Sequence, residues 1–277
     1  VSVPYWVSYP ELIKISGGSP VYIKTKEEND FKFTIADLDQ ALTDKTKALI
    51  LNSPSNPTGA IYEKHELMEI ADWAIKNNVF IISDEIYEKL VYDGEHVSIA
   101  SINPDIKRLT IVINGMSKAY AMTGWRIGYA AAHEDVTKVM SNIQSHTTSN
   151  PCSISQYASV VGLSGDQSSI EQMKEQFDKR RKFMVEKINS IKGLSCRNPR
   201  GAFYVMINIT QLKGKTIRGS IINSSLDLAK VLLDEGKVAV IPGIGFGDDD
   251  YIRLSYATSM ENIEKGLERI KDIVENN

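Results

Sequence analysis

Residues 114–129, NGMSKAYAMTGWRIGY, set a lysine, Lys118, just past the β-prone run LTIVI and eight residues before an arginine, Arg126, framed by Gly124 and Gly128. A lysine amine can form a Schiff base with a carbonyl when its surroundings tune it to react. A guanidinium can take a phosphate through two parallel hydrogen bonds, and adjacent glycines let the backbone come close. Ser117 adds a hydroxyl donor. Upstream, VFIISDE carries Asp84, with Tyr87 three residues on, and SNPTG carries Asn56; downstream, YIRLSYA carries Arg253. Taken singly, each has an ordinary explanation. Asn56-Pro57-Thr58-Gly59 is a good turn, Asp84 a good cap, Lys118 a solvated charge, Arg126 half of an ion pair. Trp6 and Tyr9 alone read as core or surface aromatics. Their common position at strand ends is what points to chemistry.

Those ends come from a pattern of alternating strands and helices, which predicts a layered α/β fold. KALILN (47–52), VFIISDE (79–85), RLTIVI (108–113) and RIGYAAA (126–132) read as strands, nearly continuous in apolar character and so covered on both faces. A helix is expected over 64–77. Asn56, Asp84, Lys118 and Arg126 then fall at strand ends along one sheet edge, where open α/β sheets hold ligands. From Ile170 the texture changes to a long charged helix stopped near Gly193, followed by AFYVMINI, a helix around SLDLAKVLLDEG, VAVIPG, YIRLSYA and a closing helix. KGKTIRGS (213–220) reads as a flexible loop. The expected division is a large, mostly parallel-sheet three-layer domain over 1–170 and a smaller α+β domain over 171–277.

Composition narrows the function classes. The 277 residues carry a net charge of −3, which gives no field to draw nucleic acid or an anionic membrane. No apolar run approaches a bilayer span. Cys152 and Cys196 form no CxxC pair, and His65, His96, His133 and His146 show no metal-ligand spacing, so neither a disulfide framework nor a metal site is expected. Small-molecule chemistry in the cytoplasm is the expectation. No G-x-G-x-x-G opens a helix after a strand, which argues against a nicotinamide enzyme.

A carboxylate that can hold a pyridinium nitrogen protonated, beside a reactive lysine and a phosphate-binding arginine, is the protein equipment for pyridoxal phosphate. GMSKAYAMTGWRIG resembles the lysine-attachment signature of the class I aminotransferases, fold-type I pyridoxal-phosphate enzymes of the aspartate aminotransferase family. SNPTG, SDEIYEKLVYDG, NPRGAFY and YIRLSYATS resemble the family's other blocks, in the family's order, over essentially the whole chain. The resemblance implies that Lys118 bears the Schiff base and shuttles the substrate proton, and that Asp84 pairs with the ring nitrogen. Tyr87 and Asn56 would hydrogen-bond the ring oxygen, with Arg126 and Ser117 on the phosphate and Trp6 stacked on the ring. Arg253 would grip the substrate carboxylate, with Asn56 beside it, and Tyr204 would lie near the site.

It further implies a homodimer, with QSHTTSNPCS (144–153) near the interface, and ping-pong transfer of an amino group from aspartate to 2-oxoglutarate. Two departures stand out. Gly115 occupies a position where the family often has a phosphate-binding serine. A family segment preceding PYW, with a phosphate loop and a tyrosine that crosses the dimer, is expected to be missing. Two other readings stay open: a pyridoxal-phosphate lyase of the same fold, and an inactive fragment or binding module.

Overall fold

A computed structural model describes residues 1–276 of the chain. In chain order the strands are β1 (Ser2–Val3), β2 (Ile23–Lys24), β3 (Ala48–Asn52), β4 (Phe80–Asp84), β5 (Thr110–Gly115), β6 (Gly128–Ala131), β7 (Ser195–Cys196), β8 (Tyr204–Asn208), β9 (Thr216–Ile217), β10 (Ser220–Ile221), β11 (Ile241–Pro242) and β12 (Tyr251–Ser255). The α-helices are α1 (Ser8–Ile15), α2 (Ile35–Ala41), α3 (Lys64–Asn77), α4 (Pro104–Leu109), α5 (Glu134–Thr147), α6 (Ser153–Ser164), α7 (Ser168–Asn189), α8 (Ser225–Asp234) and α9 (Met260–Glu275).

Two compact units emerge. One comprises Thr34–Pro54 and Ile61–Lys174; the other comprises Val1–Phe33, Ser55–Ala60 and Glu175–Asn277. The division therefore falls inside α7, four residues past the expected 170/171 boundary, and it differs more at the start of the chain. The first 33 residues join the C-terminal unit because specific contacts hold them there. Tyr5 N–H donates to the Phe246 carbonyl at 3.1 Å. Tyr251 Oη and Asn208 Nδ2 donate to Glu27 at 3.0 and 3.1 Å. Arg197 pairs with Asp30.

In the first unit, β3, β4 and β5 run parallel in that order, with Asn52 opposite Asp84 and Asp84 opposite Ile113. The parallel register aligns the carboxyl ends of the three strands. The connections are helical, as parallel strands require. Helix α3 buries Leu67, Ile70, Ala71, Trp73 and Ala74, and Asn78 ends it in the left-handed region that a helix C-terminus favours. Asn103 caps α4 by accepting from the N–H groups of Asp105 and Ile106. The core includes Leu51, Ile81 and Ile106, each at most 1% exposed, where truncation to alanine costs about 2–5 kcal/mol.

Strand β6 corrects the sequence expectation. It runs antiparallel to β5, pairs on one side only, and all four of its residues are exposed. It also begins at Gly128 rather than Arg126, because Arg126 closes a 3₁₀ turn over Thr123–Trp125 with φ +52°.

The second unit holds an antiparallel sheet in the order β11-β12-β8-β7, with Arg253 opposite Met206 and Ser255 opposite Tyr204. Helix α9 buries Ile263, Leu267, Ile270, Ile273 and Val274 on one stripe. The expected loop at 213–220 is a small hairpin, with β9 and β10 paired antiparallel. Helix α7 ends at Asn189, before Gly193, where the Asn189 side chain turns to bond the backbone of Cys196. Among the described residues no helix is long and apolar enough to cross a membrane.

Candidate active site

The sheet of the first unit gathers five of the sequence-predicted residues at one edge. Asp84 closes β4 and is partly buried. The Asn52 side chain and the Ser53 N–H both donate to its carbonyl, at 3.0 and 3.2 Å, which ties the ends of β3 and β4 together. Its Oδ1 accepts from the Ile86 N–H at 3.2 Å, so the capping role open to an aspartate here is also in use. The turn this bond makes leads to Tyr87, whose ring is 2% exposed.

Lys118 and Ser117 lie in the turn leaving β5, on the strand next to Asp84. The turn is fastened by Ala121 N–H to the Lys118 carbonyl at 3.1 Å and Met122 N–H to the Met116 carbonyl at 3.2 Å. Met116 and Ala119, at 0% and 5% exposure, anchor the turn in the interior, while Ser117 and Lys118 between them are partly open. The Lys118 Nζ stands 5.9 Å from the centre of the Tyr87 ring, within the range of a cation–π attraction. Arg126, which the chain reaches just before β6, is exposed and donates to the Thr123 carbonyl at 2.9 Å. Gly115 sits against Gly128, and a Cβ at Gly115 would come 2.9 Å from the Gly128 Cα. The backbones cross too closely there for a serine.

Sequence reasoning missed the support beneath Asp84. Glu85, 3% exposed, accepts from the hydroxyls of Ser83 and Ser98, both at 2.8 Å, and bonds His96 Nε2 at 3.1 Å. A buried carboxylate needs such partners. His96 is thus a structural partner, and together with Glu88 the group brings three ligand-type atoms within 4.8 Å of one another. The only sequence signal was an acidic residue inside an apolar strand end.

The second unit holds the remaining expected residues. Asn56 is buried in the Ser55–Ala60 turn, and its Oδ1 accepts from Arg253 Nη1 at 2.7 Å, across 197 residues of chain. The turn is seated on the NPRG block: Arg200 and Gly201 N–H both donate to the Gly59 carbonyl at 3.0 Å. That block is held from below by Arg181, 1% exposed, which donates to the Pro199 carbonyl at 2.7 Å and to Asn198 Oδ1 at 3.1 Å while paired with Asp178. Burial tends to raise the Asp178 pKa, but the hydrogen bonds from Lys182 and Arg181 outweigh it and lower the carboxyl below its ordinary value. Tyr204 and Phe246 lie against the Arg253 guanidinium, with ring centres 4.2 and 4.8 Å from Cζ. Trp6, 37% exposed, meets the Tyr9 ring edge-on at 5.3 Å.

The family described as aminotransferase class I and II matches residues 1–270. The chain belongs to that family. It is similar to the aspartate aminotransferase of Bacillus sp. (strain YM-2), 49% identical over 275 residues covering 99% of this chain and 69% of that protein. The aspartate aminotransferase of Geobacillus stearothermophilus is 48% identical over 276 residues, again 99% and 69%. Among solved structures, the aspartate aminotransferase from Rhizobium meliloti superimposes with a TM-score of 0.94 at 41% identity, over 98% of this chain and 68% of that one. The aminotransferase fold is therefore shared, with its mostly parallel sheet, and this chain spans a little over two thirds of the length of these relatives.

Proposed function

We propose that this aminotransferase uses pyridoxal phosphate and moves the amino group of aspartate to 2-oxoglutarate. The observation that supports the cofactor is that Asp84 ends β4 and Lys118 follows β5, its parallel neighbour, so that both lie at the carboxyl edge of the sheet. The donor set fits the group in kind: an amine, a carboxylate, the Tyr87 phenol, the Ser117 hydroxyl and the Arg126 guanidinium. Asn56 and Trp6 are assigned to the same cofactor on the family resemblance. The names of the relatives support aspartate.

When bound, the cofactor supplies a carbonyl carbon that accepts nitrogen and a ring that accepts electrons. Asp84 would pair with the ring nitrogen, where a carboxylate favours the protonated form. Lys118 Nζ would be the base that removes and returns the substrate's α-proton, a general-base role worth about 10²–10⁴ in rate. Arg126 and Ser117 would hold the phosphate. Arg253 would take the α-carboxylate in two parallel hydrogen bonds, with Asn56 accepting from its Nη1. The protein works as a homodimer in the cytoplasm; the free Cys152 and Cys196 support a reducing compartment.

Glutamate formation from aspartate and 2-oxoglutarate tests the reading. Lys118→Ala is expected to lower the rate at least about 100-fold. Undiminished transfer in that variant refutes the role of Lys118, and release of pyruvate and ammonia from an amino acid with a β leaving group, such as serine, with no glutamate formed from aspartate, would make the protein a lyase.

A further inference from the structure

Asn56 fixes the position of Arg253 Nη1, and one hydrogen bond does not by itself set the tilt of a guanidinium plane. The two rings against it address the tilt. Tyr204 lies on β8 two residues from Met206, the residue directly opposite Arg253 on β12. That diagonal places ring and guanidinium on one face of the sheet. Phe246 arrives from the 3₁₀ turn Gly243–Phe246 ahead of β12 and is 1% exposed. It is itself fixed, packed in a cluster with Phe31, Met206 and Tyr251, and its carbonyl accepts from Tyr5 N–H at 3.1 Å. The turn that carries it has no room to shift, since a Cβ on Gly243 would come 2.2 Å from the carbonyl oxygens of Asp248 and Tyr251.

We infer that Tyr204 and Phe246 are positioning residues for carboxylate recognition, holding the plane of the Arg253 guanidinium before the substrate arrives. The inference rests on the reading of Arg253 as the carboxylate-binding group. An aromatic ring attracts the cation without consuming an N–H donor, so the rings orient the guanidinium without competing with a carboxylate for its N–H groups. Fixing a long side chain in advance moves its ordering cost from binding to folding.

Titration of the 277-residue chain with succinate, a dicarboxylate without an amino group, tests this. Tyr204→Leu and Phe246→Leu are each expected to weaken binding about tenfold, the size of a desolvated cation–π contact. Tyr204→Phe keeps the ring and is expected to bind within about twofold of the parent. Arg253→Ala should abolish binding. If Arg253→Ala leaves succinate affinity unchanged, the reading of Arg253 fails and the inference with it. If that variant loses binding while both leucine variants keep it, the inference alone is overturned. NMR of the unsubstituted chain covers the case of a variant that does not fold. The Arg253 guanidinium signals, assigned by their loss in Arg253→Lys, should be shifted upfield by the ring currents and show slowed Nε–Cζ rotation. Signals like those of a solvated arginine would overturn the inference.

Discussion

Gly59→Ala should unseat the turn that presents Asn56, and its cost can be worked from the structure. Gly59 has φ +70°, and a Cβ there would fall 2.4 Å from Pro199 Cβ and 2.8 Å from the Gly201 carbonyl oxygen. The left-handed backbone costs an alanine about 1–2 kcal/mol, and a clash with two backbone-anchored neighbours adds about 1–3 kcal/mol. The expected loss is therefore roughly 2–5 kcal/mol. Gly17→Ala is the internal control: its φ is +79° but nothing lies within 4 Å of the added methyl, so only the backbone part applies. Urea unfolding followed by far-ultraviolet circular dichroism reads both, as midpoints at unchanged slope. The arginine should feel the change too, because Asn56 lies in the displaced turn, and succinate affinity should fall in Gly59→Ala and hold in Gly17→Ala. Equal destabilisation by the two substitutions would refute the packing argument.

Arg181→Leu should destabilise the chain by about 3–5 kcal/mol, since it strips Asp178, Asn198 and the Pro199 carbonyl of a shared buried donor; urea midpoints check it, and a loss under about 1 kcal/mol would mean water replaces the guanidinium. The Asp178 pKa is lowered on folding, so the pair stabilises the protein above the ordinary aspartate pKa, and that contribution should fade as pH falls below about 4. An Asp178→Asn variant should show a flatter acid limb in a pH series of melting temperatures. Alkylation by iodoacetamide at pH 8 should modify Cys152 alone: it is exposed, with its pKa lowered by the N–H groups of Ser155 and Ile154, whereas burial pushes Cys196 up to about 12. Mass spectrometry of the folded protein should find one adduct, on Cys152; a second on Cys196 would contradict the burial.

How far the sequence carried can be judged residue by residue. Asp84 and Lys118 were legible because each follows a short apolar run, and parallel strands bring such ends to one edge whatever their lengths. The β6 error has the same root: GYAA is apolar enough to read as buried, while burial depends on a neighbour on its far side that the strand's own residues do not encode. The membership of Val1–Phe33 was hidden because it rests on Glu27, Asp30 and Phe31 meeting residues 197, 208 and 251. Phe246 escaped for a similar reason. A phenylalanine between glycines looks like a turn residue until the turn before β12 is seen to lay its ring against Arg253. The Glu85–His96 pair is legible only once a strand end and a distant loop are known to meet.

The proposed chemistry depends on Lys118 as the residue that takes the cofactor. The direct measurement is borohydride reduction of the chain incubated with pyridoxal phosphate, followed by peptide mapping, beside Lys118→Ala. The account predicts a single pyridoxyl-modified peptide spanning Lys118, absent from the variant, with a visible absorption band that disappears with it. Modification that survives Lys118→Ala, or that falls on surface lysines with Lys118 untouched, would contradict it.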